Sequence, residues 1–237
     1  LEYWSFPDWF TQLQLLAVMV IIVQVVFLVG GLLVETGSPV NMYYAVEAAT
    51  DDLVTSAIIG FVGALLGTGL GYVLSERLGK SGVWWVLISL PLALPSAIVG
   101  IGLIDVYNSW IPWLYGTMAM PIIAVTTRFV VIATIIIYTQ SRRVDQLLFE
   151  VAELLKRDKN QDLWQVKLPL QKYGLAAAVA ALVAFNVGEL GSTLLVVPPG
   201  RETITIRIFN YLHYGGSEEV AGLCLLIVVL MMTLSGI

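Results

Sequence analysis

Six stretches of this chain are each about as long and apolar as a helix must be to cross a membrane, and that bounds what it can fold into. Crossing about 30 Å of hydrocarbon takes roughly twenty residues of α-helix. The runs lie at about Leu13 to Val34, Leu53 to Leu74, Val83 to Ile104, Met118 to Tyr138, Tyr173 to Val197, and Val220 to the end. They are continuous where barrel strands would alternate, so a transmembrane barrel is excluded in favour of helices. The composition agrees: 58% of the 237 residues are hydrophobic, 12% are charged, and the mean hydropathy is +0.87, outside the range of a soluble domain. The chain reads as an all-α integral membrane protein with six transmembrane helices. Gly and Pro inside the runs are tolerated because neighbouring helices re-satisfy the backbone.

Orientation follows from Lys and Arg in the short loops. Arg77 and Lys80 follow the second run, and Arg142, Arg143, Lys156, Arg157, Lys159, Lys167 and Lys172 follow the fourth. Those loops are assigned to the cytoplasm. The first and third loops carry Glu35, Glu47, Asp51, Asp52 and Asp105, and the fifth mixes Glu202, Glu218 and Glu219 with Arg201 and Arg207; all three are assigned outward. Both ends of the segment then lie in the cytoplasm. Trp84, Trp85, Trp110, Trp113 and Tyr115 fall at span ends, where amphipathic rings favour the headgroup level.

The first residue is Leu1, and the chain stops inside the apolar run LLIVVLMMTLSGI. A longer polypeptide is expected, with this segment as one half of two. Residues 1–237 read as a single six-span domain, with a first span at about 13–34 and a core unit at about 51–237. The lone Cys224 excludes an internal disulfide or a cysteine-rich metal site.

Between the fourth and fifth runs lies a charged island, Thr139 to Lys172, far longer than the usual connection in a helix bundle. Within it Val144, Leu147, Leu148, Val151, Leu154 and Leu155 recur at spacings of three and four, which predicts a short amphipathic helix. Pattern alone leaves two readings open. Such a helix docks into a groove on a soluble partner, or it lies in the membrane interface with its basic residues on anionic headgroups.

The island resembles the loop signature of binding-protein-dependent ABC importer permeases, usually written E-A-A-x3-G-x9-I-x-L-P. Glu150, Val151 and Ala152 occupy the first three places, and Val166, Leu168 and Pro169 fall at the required distance. Lys156 stands where the family has Gly, a departure at a turn that Gly eases. A second resemblance lies in GELGSTLLVVPPGRETITIRIFNYLHYGG, Gly188 to Gly216, which is similar to ferric-iron permeases, whose polypeptides commonly hold two six-span halves, and less closely to thiamine and phosphonate permeases.

This resemblance implies the type I importer permease fold and a transport subunit that is not itself an enzyme. The island becomes a cytoplasmic coupling helix between the fourth and fifth spans. Glu150 would anchor it to an ABC ATPase dimer, Val151, Ala152, Leu154 and Leu155 would fill that partner's groove, and Lys156, Leu168 and Pro169 would complete the motif. The chain itself would bind no cofactor; ATP and Mg would sit on the ATPase, since no Gly-Lys-Ser/Thr phosphate loop is present. Other implied partners are a periplasmic or lipid-anchored solute-binding protein, a second permease half or protomer, and membrane lipid, in a bacterial plasma membrane. No nucleic acid is expected. The implied cargo is ferric iron, with thiamine, phosphonate or another small solute as the alternative.

Glu189 falls within the fifth run, where an unpaired carboxylate costs several kcal/mol. Arg128, in the fourth, is the only cation at comparable depth, although counting helical rise separates the two by roughly 6–9 Å along the membrane normal. The pair reads either as a gate or pathway lining or as a static ion pair. PLALPSAIVGIG places Pro91, Pro95, Gly100 and Gly102 in one run, predicting a kinked span that serves as a hinge or only as a packing bend. His213 has no second His or Cys at ligand spacing and is given a docking or interfacial role, not a metal one. PPGRETITIRIFNYL reads as an outer loop followed by an amphipathic surface helix facing the binding protein.

The main rival is a secondary transporter or channel that works without an ATPase, its intramembrane charges carrying ions. A membrane enzyme lacks support, with no H-E-x-x-H motif and no intramembrane Ser-His or paired-Asp site. The topology is checked by impermeant-thiol labelling of intact cells in a Cys224→Ser background. Asn41→Cys should react from outside and Gln161→Cys should not; the reverse pattern would overturn the orientation.

Overall fold

In the computed structural model residues 7–79, 81–144, 163–214 and 217–235 are described, and every regular element among them is helical. In chain order these are α1 (Asp8–Thr36), α2 (Pro39–Ala48), α3 (Thr50–Leu78), α4 (Gly82–Ala93), α5 (Ser96–Trp110), a 3-10 turn (Pro112–Leu114) and α6 (Ala119–Arg143). A π turn (Leu163–Lys167), α7 (Leu168–Leu170), α8 (Lys172–Val187), α9 (Thr193–Val196), α10 (Ile204–Tyr214) and α11 (Ser217–Ser235) follow. Among the described residues α1, α3 and α6 are each long and apolar enough to cross a membrane, and the number of spans reaches five if each of two bent helix pairs counts as one. The apolar part of α11, Glu219–Thr233, is shorter.

The chain divides into two compact units, Leu1–Ala48 with Asn210–Val229, and Ala49–Phe209 with Leu230–Ile237. In the first, α1 is apolar on all sides and leaves nearly every side chain exposed, with Phe27 and Val34 each at 82%. A helix of that kind is stable only against lipid or another apolar surface. It ends where Gly37 adopts φ +69°, and Asn41 Nδ2 donates to the Thr36 carbonyl (3.3 Å) as the chain turns into α2. That helix occupies residues read from sequence as loop. It packs on α11, where a Cβ added at Gly222 would lie 3.4 Å from Met42 Cα.

The second unit is built on α3, α6 and α8. Ile59 and Ala64 from α3, Val125, Phe129, Ala133 and Ile137 from α6, and Ala178 and Leu182 from α8 form its main core. Lipid tails are as apolar as Leu, so no hydrophobic drive holds these helices together; close van der Waals packing does. Gly63, Gly67 and Gly71 recur every fourth residue and are all buried. A Cβ at Gly63 would stand 2.7 Å from Val125 Cγ2, one at Gly71 would stand 2.9 Å from Ala133 Cβ and 3.0 Å from Thr134 N, and one at Gly67 would collide with Leu182 Cδ2. Asp51 and Asp52 sit in the first turn of α3 and Arg77 in the last, as the helix dipole favours.

Two expected spans are interrupted. The third run forms α4 and α5, which meet at 97°, not one kinked helix. Pro95 drives Leu94 out of the helical region, to φ −76° and ψ 144°. Pro91, by contrast, is accommodated inside α4. The fifth run leaves the helix at Val187, with Glu189 in an irregular segment before the single turn of α9. At its other end the π turn and α7 meet α8 at 59°.

Two glycines on one helix separate packing from mere helix weakness. Gly71 touches α6, whereas a Cβ at Gly69 would meet nothing within 4 Å. Overpacking typically costs about 1–3 kcal/mol, so Gly71→Leu should lower the unfolding midpoint of purified protein while Gly69→Leu leaves it unchanged or raises it. Thermal unfolding in detergent checks this; equal midpoints would show that the contact is dispensable.

Candidate functional site

The site begins with the helix end that carries Glu189. Gly188 N–H still donates to Ala184 O (3.2 Å) and Glu189 N–H to Asn186 O (3.3 Å), after which the chain leaves the α8 ladder. The freed backbone acceptor is satisfied by hydroxyls: Thr193 Oγ1 (2.7 Å) and Thr205 Oγ1 (3.2 Å) both donate to Glu189 O. The carboxylate turns back on its own chain, where Oε1 accepts from Ser192 N (2.9 Å) and Ser192 Oγ (3.0 Å). Only Oε2 is left to face α6. A Cβ at Gly191 would overlap Ser96 Oγ, and one at Gly100 would lie 3.3 Å from Ser192 O, so both glycines hold α5 tight against this segment. Gly100 thus works through close backbone approach.

Arg128, on α6, brings Nε to 3.4 Å from Glu189 Oε2, with 17% and 8% of the two side chains exposed. The offset expected from sequence assumed unbroken helical rise as far as Glu189; α8 ends before it, and that count does not apply. The contact is electrostatic and lacks hydrogen-bond geometry, and Arg128 Nε and Nη1 are buried without an acceptor among the described residues. The guanidinium carbon lies 5.5 Å from the centroid of the adjacent Phe129 ring. Arg128 and Glu189 are the charged groups in the wall of a cavity of about 540 Å³ whose other surfaces include Leu92, Phe129, Phe185 and Met231. In such surroundings the pair attracts more strongly than in water, and each charge is costly without the other.

Polar groups that sequence reasoning missed support this wall. Asn186 Nδ2 donates to Gly60 O (3.0 Å) and Thr126 Oγ1 to Gly63 O (3.3 Å), each reaching a backbone carbonyl of α3. An Asn inside an apolar run was the available signal. Beyond them, Arg207 Nε donates to Asp52 Oδ2 in a close ion pair, and Ser56 Oγ accepts from Ile204 N (2.8 Å). These contacts tie the start of α10 to the start of α3, and Thr205 in α10 reaches Glu189 O. The amphipathic helix expected in PPGRETITIRIFNYL is present as α10, with Ile204 and Ile206 buried. His213 is in its last turn.

The island residues Glu150, Val151, Ala152, Leu154, Leu155 and Lys156 lie outside the described residues. Leu168, half-buried, and Pro169, exposed, form α7 where the chain returns. Nearby, a cavity of about 310 Å³ is bounded by Glu76, Tyr138, Arg142, Lys167 and Gln171. Arg142 Nη2 donates to Tyr138 Oη (3.2 Å) there.

No family model matches the sequence. Curated relatives include PhnV of Salmonella typhimurium, named for a 2-aminoethylphosphonate transport system permease, 29% identical over 195 residues that cover 79% of this chain and 72% of that one. Another is WtpB of Thermococcus kodakarensis, a molybdate/tungstate transport system permease, 26% identical over 182 residues covering 75% and 72%. Among solved structures, the MetNI methionine ABC transporter matches with a TM-score of 0.64 at 16% identity, covering 84% of this chain and 94% of that one. A bacterial alginate ABC transporter in complex with an alginate-bound periplasmic protein gives 0.65 at 12%, covering 97% and 93%. The sequence homologues are ABC transporter permeases, and the fold is that of ABC importers.

A double-mutant cycle separates a pathway pair from a static one. Breaking a buried ion pair from one side costs about 3–5 kcal/mol, whereas replacing both partners is often neutral. Arg128→Gln and Glu189→Gln should each lower the unfolding midpoint of purified protein, and the double variant should recover most of the loss. If the recovered double variant also transports normally, the pair is structural only.

Proposed function

We propose that this chain is the permease subunit of an ATP-driven ABC importer of the type I fold, with six membrane spans and both ends of the segment in the cytoplasm. The observation that carries this reading is the agreement of two independent likenesses: homologues over about three quarters of the chain, and ABC importer folds over nearly all of it. ATP hydrolysis belongs to a separate subunit. The chain takes its solute from an external binding protein and pairs with a second permease half across the pathway.

In this reading Glu150 to Lys156 form the coupling helix, with Leu168 and Pro169 at its return. The roots of that loop, Arg142 on α6 and Lys167 in the π turn, border one cavity, so a push on the loop bears on the ends of α3, α6 and α8 together. When the ATPase dimer closes on ATP and Mg, the helices rock from inward-open to outward-open. Pro91, Pro95 and Gly100 belong to the moving parts, and Arg128 and Glu189 line the path. For cargo, the relatives named for 2-aminoethylphosphonate and for molybdate/tungstate support a small solute bearing an oxyanion group. The ferric-iron reading rests on the Gly188 to Gly216 resemblance alone.

The test is co-purification of the ATPase, together with binding-protein-stimulated ATP turnover in liposomes, for Glu150→Ala and Ala152→Trp. Glu150→Ala removes an anchoring charge; Ala152→Trp adds bulk where a groove must close. Both should release or uncouple the ATPase while leaving membrane insertion intact. A helix lying on lipid would tolerate Trp, which interfaces favour. Unchanged association and stimulation in both variants would sink the permease assignment.

A further inference from the structure

Arg128 and Glu189 each keep a position that nothing described fills. A carboxylate oxygen accepts two hydrogen bonds. Glu189 Oε1 has both of its own from Ser192, whereas Oε2 has the Arg128 contact alone. On the other side, Arg128 Nη1 is buried and has no acceptor among the described residues. Both groups face the same 540 Å³ cavity, a size ordinary for a small-molecule site, and Leu92, Phe129, Phe185 and Met231 give an incoming charge nothing to bond to.

The sign pattern of that wall selects the ligand. A simple oxyanion drawn to Arg128 also meets Glu189, whose Oε2 lies 3.4 Å from Arg128 Nε, and a simple cation meets the reverse. In apolar surroundings the repulsion offsets part of the attraction, while the desolvation penalty of the ligand remains. A molecule carrying both charges on a short spacer gains from both residues and presents no net charge to the cavity. Building on the permease reading, we propose that Arg128 and Glu189 are a substrate-contacting pair. The solute they accept is a small zwitterion, its oxyanion group on the Arg128 guanidinium and its ammonium on Glu189 Oε2. Ser192 is the positioning residue, since its two hydrogen bonds to Oε1 fix which carboxylate oxygen is presented.

The proposal separates zwitterions from the plain oxyanions that the permease reading also admits. The measurement is calorimetric binding to the purified permease–ATPase complex in nanodiscs without binding protein. The probes are 2-aminoethylphosphonate, ethylphosphonate, ethylamine and molybdate. Hydrogen bonds to charged groups correspond to about tenfold or more in affinity, so 2-aminoethylphosphonate should exceed each of the others by at least that factor. Glu189→Gln should erase the preference over ethylphosphonate, and Arg128→Gln the preference over ethylamine. Should either single variant fail to fold, the double Arg128→Gln/Glu189→Gln variant, which strands no charge, should show no preference at all. Equal or tighter binding of ethylphosphonate or molybdate by the unmodified complex, no binding of any probe at tens of millimolar, or retention of the original order in the double variant would each overturn the proposal. ATPase association and ATP turnover stay intact in any of those outcomes if the permease reading is right, so the two failures are distinguishable.

Discussion

The close approach of α3 to α6 and α8 is the contact on which the rest of the second unit depends. In lipid a helix pair gains little from hiding apolar surface, so the backbones must come near enough for dispersion and interhelical hydrogen bonds to act. Gly63, Gly67 and Gly71 provide that nearness, and it has a polar consequence. With no side chains in the way, Asn186 and Thr126 reach the carbonyls of Gly60 and Gly63. These bonds orient α8 and α6; the segment that follows α8 carries Glu189, and α6 carries Arg128, to opposite sides of one contact.

A second chain of contacts runs from α10 to the main-chain carbonyl of Glu189. Asp52 holds Arg207, Ser56 holds the Ile204 amide, and Thr205, one residue on, donates to Glu189 O. Nothing in that series is longer than a hydrogen bond or an ion pair. A displacement of α10 is therefore felt at the backbone of the residue that pairs with Arg128, so the start of α10 and the cavity wall are mechanically one structure.

Much of this was legible in the sequence, for reasons that also explain the rest. Apolar run length located α3 and α6 to within a few residues, because burial in lipid tolerates few exceptions. The cost of a lone intramembrane charge pointed Glu189 to Arg128 before any coordinates. Its placement was hidden because hydropathy averaged over a window does not register where a run stops being helical: Val187 and Leu94 end their helices through backbone geometry, inside stretches whose mean hydropathy stays that of a span. Asp52 and Arg207 served only as topology markers, since a pair so far apart in sequence leaves no periodic trace. The glycine spacing on α3 was visible, yet glycine alone does not say which helix it faces. The island between the fourth and fifth runs is legible only as sequence, as Glu150 to Lys156 lie outside the described residues.

The right-angle junction between α4 and α5 has a further consequence. Leu94 N–H already bonds to Leu90 O (3.2 Å), and Pro95 has no N–H to contribute. Rotation about the Leu94 ψ bond consequently surrenders no donor from the joint itself. Most helix bends in a bilayer are resisted because a bared amide has no water to turn to; at this joint the bend bares no amide, and the clash of Pro95 with Leu94 sets its backbone angle. What limits its travel is the side-chain fit of α5 against the Gly191 segment, so the stiffness of the joint is set by packing and not by hydrogen bonding.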